Sequence, residues 1–149
     1  MRPTLLGPLV VAAVAVIALA ACGGDAAGDR EKAAAAASGD ITCEGGPLAG
    51  GTGLPDGFPR PAQVTYVRTK RQGPTRVVNA YYDGGLEDAY EAYKDAFESA
   101  EYDVLFDERE EADAEVSYAA PGGATTGLVA LKATCEDDRV SVRITSRAG

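Results

Sequence analysis

The sequence has no histidine and no tryptophan, and its single methionine is residue 1. Without histidine, neither a Ser-His nor a Cys-His nucleophile can be assembled, and the commonest transition-metal ligand is missing. No SxxK, HExxH, phosphate-loop or EF-hand spacing occurs in the chain. Carboxylates are plentiful, with 23 Asp and Glu, so pairs at glycosidase-like separations arise by number alone and single out no residue. The chain therefore reads as a non-enzyme that needs no cofactor or resident metal, with a carboxylate-based hydrolase as the remaining catalytic alternative. Charge of one sign is missing from one stretch and scarce in another. Arg60 to Arg76 carries Arg60, Arg68, Lys70, Arg71 and Arg76 and no acid, whereas Asp83 to Glu115 sets fourteen acidic residues against Lys94 and Arg109 alone. A net charge of −9 argues against nucleic acid as a partner. The acidic run 107–115 (DEREEADAE) could attract Ca²⁺, but it lacks the turn glycine and alternating ligands of a dedicated loop and reads as a solvated strand connection.

Long apolar runs are absent except at the start. Arg2 precedes Leu5 to Ala21, which is Leu, Val, Ala and Ile broken by one Gly and one Pro, and the run ends in Leu19-Ala20-Ala21-Cys22. A basic start, an apolar core and small residues before a cleavage point are the parts of a secretory signal. The four residues ending at Cys22 resemble the lipobox of bacterial prolipoproteins at every position. That resemblance implies a signal peptide over 1–21, diacylglycerol on the Cys22 thiol and a mature chain beginning there. An uncleaved transmembrane helix is the alternative, since about 17 to 25 apolar residues make a span. It gives no reason for a cysteine followed at once by Gly23-Gly24-Asp25. Residues 22–40 then read as the acylated cysteine and a flexible tether: Gly23 to Asp40 has no large apolar side chain to offset its ordering entropy. As a coil it would span about 25 Å.

Three cysteines are present, and the lipobox takes one. Cys43 and Cys135 remain as an even pair in an exported chain, which predicts a disulfide; free thiols or metal ligands are the alternative.

Residues 41–149 have the length of one small domain. Gly45 to Gly53 is loop, and in Leu54-Pro55-Asp56-Gly57-Phe58-Pro59 the X-Pro steps favour extended chain with Leu54 and Phe58 at the core's edge. Gln63 to Thr69 and Thr75 to Tyr82 alternate around Gln72-Gly73-Pro74 and predict a hairpin. Asp83 is a candidate N-cap. Leu86, Tyr90, Tyr93 and Phe97 recur at helical spacing over Leu86 to Ala100, with acidic residues on the other side. Core packing is the first reading of the two tyrosines and ligand stacking the second. Strands are expected over Tyr102 to Phe106, Ala114 to Ala119, Thr126 to Cys135 and Arg139 to Ser146. The order ββαββββ gives an α+β domain, one amphipathic helix on a mostly antiparallel sheet. The LPxGFPxP run followed by these elements resembles small actinobacterial lipoproteins, a likeness that implies no activity.

The sequence thus points to a cell-envelope lipoprotein held on the extracytoplasmic face of the membrane through Cys22. Its domain would be a non-enzymatic binding or interaction module for an envelope protein or ligand; a purely structural envelope module is the alternative. Arg68, Lys70, Arg71 and Arg76 flank the hairpin turn and form a candidate contact for an anionic surface. Their other reading is a charged guard on an exposed hairpin.

Overall fold

The computed structural model describes residues 41–149. The signal peptide, the acylated Cys22 and the tether expected over residues 1–40 lie outside the described residues. Among the described residues, six strands and one helix follow in the expected order: β1 (Val64–Gln72), β2 (Thr75–Asp83), α1 (Leu86–Ser99), β3 (Asp103–Arg109), β4 (Asp113–Ala119), β5 (Thr125–Lys132) and β6 (Arg139–Ala148), with a 3₁₀ turn at Pro121–Gly123. They form one sheet ordered β1-β2-β6-β5-β4-β3, antiparallel at every pairing. The fold is therefore α+β. Sequential hairpins build β3 to β6, and β6 returns to lie beside β2 at the centre. The edges are β1 and β3.

Period-two alternation decides which face each residue takes. Val78, Ala80 and Tyr82 of β2, Val140, Val142 and Ile144 of β6, Val129 and Leu131 of β5, and Ala114, Val116 and Tyr118 of β4 form one apolar face. Helix α1 covers it with Ala89, Tyr90, Tyr93 and Phe97. The coil ahead of β1 completes the layer with Leu54 and Phe58, both buried. Phe97 stacks on Tyr118 at 4.8 Å between ring centres, and the edges of Phe58 meet Phe97 and Tyr118 at 5.8 and 5.4 Å. Gly127 faces Tyr118 across the β4–β5 ladder and leaves room for its ring; a Cβ there would stand 2.1 Å from the Thr145 carbonyl oxygen. The Tyr118 hydroxyl donates to that carbonyl at 3.1 Å, and burial pushes its pKa up to about 12, so it remains a donor.

Several boundaries differ from the expected ones for local reasons. The hairpin turn is Gly73-Pro74, because Gln72 pairs with Thr75. Gly73 has a φ of 57°, and proline at the next position cannot follow it into positive φ, which selects the type II′ geometry that suits twisted strands. Asp83 does not cap the helix. Gly85 occupies the N-cap with no side-chain bond, and Asp83 instead ends β2 and accepts from Arg139 Nε at 2.9 Å. The helix stops one residue earlier than its apolar spacing suggests, in a Schellman turn: Glu101 N–H donates to the Glu98 carbonyl and Tyr102 N–H to that of Phe97, with Glu101 left-handed at φ 57°. The Tyr102 ring sits 5.6 Å from Phe97 and supplies the hydrophobic contact that accompanies this motif. Strand β3 continues to Arg109, and β5 stops at Lys132 rather than Cys135.

Candidate functional site

The four basic residues proposed for an anionic contact share the β1–β2 hairpin but not one face. A bulge between Tyr66 and Arg68 resets the register, so Arg68 pairs with Asn79 and Lys70 with Val77 on the helix-free face. Arg71 and Arg76 pair with each other on the helix side, and the Arg76 guanidinium lies against Gly53 of the coil. The chain enters the domain at the opposite end of this hairpin, where Thr42 N–H donates to Ser141 Oγ at 2.9 Å. Ser141 pairs with Tyr81, six residues along β2 from Thr75 at the turn, about 20 Å at strand rise, and Ile41 and Thr42 share a pocket with Arg68. A tether of about 25 Å, as expected over residues 23–40, would run back along the domain if the hairpin tip lay on a bilayer, and would be long enough to do so.

Cys43 and Cys135 form a disulfide with Cα atoms 5.3 Å apart. It ties the entering coil to the loop between β5 and β6. Arg139 reinforces the junction by donating to the Cys43 carbonyl at 3.3 Å while its guanidinium lies over the Tyr81 ring.

The space between helix and sheet, where a ligand would stack on the tyrosines, is filled. Tyr93 and Phe97 are 0% exposed and Tyr90 is 7% exposed. The hydroxyls of Tyr66 and Tyr93 are buried without a well-formed hydrogen bond, and desolvation raises the pKa of both, Tyr93 the more strongly.

At the rim of this interior, Tyr90 and Lys94 of α1 meet Asp107 of β3. The Tyr90 hydroxyl donates to Asp107 Oδ2, and Lys94 Nζ reaches the same oxygen at 3.0 Å. The hydrogen bond from Tyr90 and then that from Lys94 hold the Asp107 carboxyl below its ordinary pKa, while Lys94 is held above its own chiefly by Asp107. A depressed carboxyl pKa means that the unfolded chain binds the proton first. The contribution of Asp107 is therefore complete above the ordinary carboxylate range and is lost as pH falls through its folded value; that of Lys94 is complete below the ordinary lysine range and is lost as pH rises through its raised folded value. Asp107→Asn is expected to narrow the gap between melting temperatures at neutral and at acid pH. An unchanged gap would place the acid sensitivity in other carboxylates. Sequence reasoning missed this cluster. Tyr90 and Lys94 stand at helical i, i+4 spacing, but only the folded sheet brings Asp107 beside them.

The outer edge of β3 is the other concentration of chemistry. No described strand pairs with it, whereas the outer edge of β1 is met by the coil, with Leu48 N–H donating to the Tyr66 carbonyl at 2.7 Å. A bulge between Val104 and Phe106 places Leu105 outside the ladder, and Leu105 and Phe106 are 61% and 53% exposed. A shallow groove beside them, between the end of α1 and the start of β3, is lined by Lys94, Glu98, Glu101, Tyr102, Asp103 and Val104. Both cations near this edge already have carboxylate partners, Lys94 in Asp107 and Arg109 in Glu87. The acidic run 107–115, expected as a connection, lies mostly within β3 and β4 and their hairpin. Among the described residues no group of three or more His, Cys, Asp or Glu side chains is placed to hold a metal ion. In comparisons with known proteins, no family model and no curated protein matches the chain.

Proposed function

We propose that the protein is a lipid-anchored lipoprotein of the cell envelope, held by Cys22 on the extracytoplasmic face, whose domain is a non-enzymatic module that engages its partner through its surface. The observation that carries this reading is Leu19-Ala20-Ala21-Cys22 at the end of an apolar run. Two features support it. The Cys43–Cys135 bridge belongs to an oxidising compartment. The interior beneath α1 is packed with Tyr93 and Phe97 rather than open to a small molecule, which leaves edges and faces as the places where a partner can bind. Two acyl chains hold a protein on a bilayer where one does so only marginally, so the anchor alone is sufficient for membrane residence.

Cys22→Ala is expected to release the protein from the membrane fraction or to leave the signal uncut. Mass spectrometry of the wild-type protein should find a diacylated Cys22 as the first residue. A mature chain that starts elsewhere, or a Cys22→Ala variant that fractionates like wild type, overturns the anchor.

A further inference from the structure

We propose that the outer edge of β3 is a docking site for an extended, basic segment of another protein, which adds to the sheet as a seventh strand beside Asp103–Arg109. This deepens the surface-binding reading above and rests on it. Three observations converge on the edge. Its outward N–H and C=O groups have no described backbone partner, and an array of this kind pairs with any chain that arrives extended. Two of the three exposed large apolar side chains among the described residues, Leu105 and Phe106, sit on it side by side, where an exposed leucine and an aromatic ring serve as anchors for a partner. Its surroundings are acidic: Asp103 and Glu108 lie on the strand, Glu98 and Glu101 line the adjoining groove, and no described cation pairs with any of the four.

Charge complementarity fixes the occupant. Side chains of an added strand alternate between two faces. Those on the helix-free side, where the register places Phe106 beside Ser117 between Asp103 and Glu108, would meet an apolar ring flanked by carboxylates; those on the other side would lie over the groove and face Glu98 and Glu101. The matching sequence alternates apolar residues with lysine or arginine. A second copy of this chain fits poorly. Pairing β3 with β3 would bring acidic strands together in a chain of net charge −9, and the basic edge at β1 is already met by Leu48.

The test uses the full acylated chain in detergent micelles and a capped peptide of about eight residues, a common strand length, alternating lysine and valine. Its controls are a glutamate–valine peptide and a lysine–valine peptide of the same composition with the lysines in one block. The alternating basic peptide is expected to bind at least about tenfold more tightly than either control, to weaken as salt screens the charges, and to slow amide hydrogen exchange in β3. Replacing Leu105 and Phe106 together by lysine should weaken binding about tenfold or more and leave the melting temperature nearly unchanged, because both side chains are already exposed. Glu98→Gln with Glu101→Gln should remove part of the salt dependence. Equal affinity for the alternating and blocked peptides, unaltered binding by the lysine variant, protection away from β3, or self-association through β3 in sedimentation would each overturn the proposal. Mass spectrometry of the same preparation reads Cys22 acylation independently, so failure of the edge site is distinguishable from failure of the anchor.

Discussion

Phe97→Ala is expected to lower the stability of the domain by about 3 to 5 kcal/mol, the usual range for removing a fully buried phenyl ring. Phe97 is 0% exposed and touches four rings: Phe58 from the entering coil, Tyr93 one turn back on α1, Tyr102 beyond the helix end and Tyr118 of β4. These neighbours belong to separate elements, each fixed by its own contacts. Tyr118 is held by its hydrogen bond to the Thr145 carbonyl, and Tyr102 N–H donates to the Phe97 carbonyl in the helix-ending turn. The cavity therefore cannot collapse cheaply, which places the cost toward the upper part of the range. The truncated residue would also lose the Phe97–Tyr102 contact that accompanies the turn, so the last turn of α1 should fray and amide exchange at Ala100 to Tyr102 should quicken. Small domains have a total stability of about 5 to 15 kcal/mol, and each kcal/mol shifts melting by about 4 to 8 °C in a domain near this size. A fall of more than about 10 °C follows. A variant melting within a degree or two of wild type would mean that the aromatic stripe does not build the core.

That stripe is also the clearest case of structure legible in the sequence. Leu86, Tyr90, Tyr93 and Phe97 lie at helical spacing with acids opposite, and the periodicity places α1 to within a residue. Strand alternation likewise assigns the faces of β2 and β6, because Val78, Ala80 and Tyr82 and Val140, Val142 and Ile144 each keep a strict period of two. Features set by long-range register were not legible. The bulge after Tyr66 turns Arg68 and Lys70 away from Arg71 and Arg76, and one extra residue in a ladder leaves no mark in composition. The bulge at Leu105 has the same effect on β3, where LF in a strand reads as core until the register exposes both side chains. The turn that closes the helix after Ser99 has no glycine to announce it; Glu98 and Phe97 accept the closing hydrogen bonds and Glu101 takes the left-handed position. The Asp107 cluster required that β3 be known as the strand beneath Tyr90 and Lys94. Local period and turn chemistry were thus readable, whereas edge identity, register and cross-element polar contacts came only with the assembled sheet.

Replacing Cys43 and Cys135 together by serine is expected to cost up to about 4 to 5 kcal/mol, the chain-entropy value for a loop of this length, since the bridge joins residues 92 apart in sequence. The native structure should change little. The coil that carries Cys43 remains fastened by Thr42 N–H to Ser141 Oγ, Leu48 N–H to the Tyr66 carbonyl, Thr69 Oγ1–H to the Thr52 carbonyl, and the burial of Leu54 and Phe58. The effect therefore resides chiefly in the unfolded chain, which without the bridge is free to separate its two ends. Two measurements distinguish this from a local packing defect. A reductant should lower the denaturation midpoint of the wild-type protein to that of the double serine variant and leave the variant unmoved, while amide exchange should rise near Cys43 and stay slow across β2, β5 and β6 under native conditions. Equal midpoints for oxidised and reduced wild type would remove the bridge from the stability of the domain. If the chain is lipid-anchored as proposed, the position of the bridge has a second consequence. It joins the chain directly where it enters, beside Thr42 and ahead of the coil, to the loop leading into β6 at the sheet's centre. Tension on such a tether would then be borne by a covalent bond to the core, and with both cysteines replaced the same tension would act first on the Thr42–Ser141 hydrogen bond and then peel the coil toward Leu48.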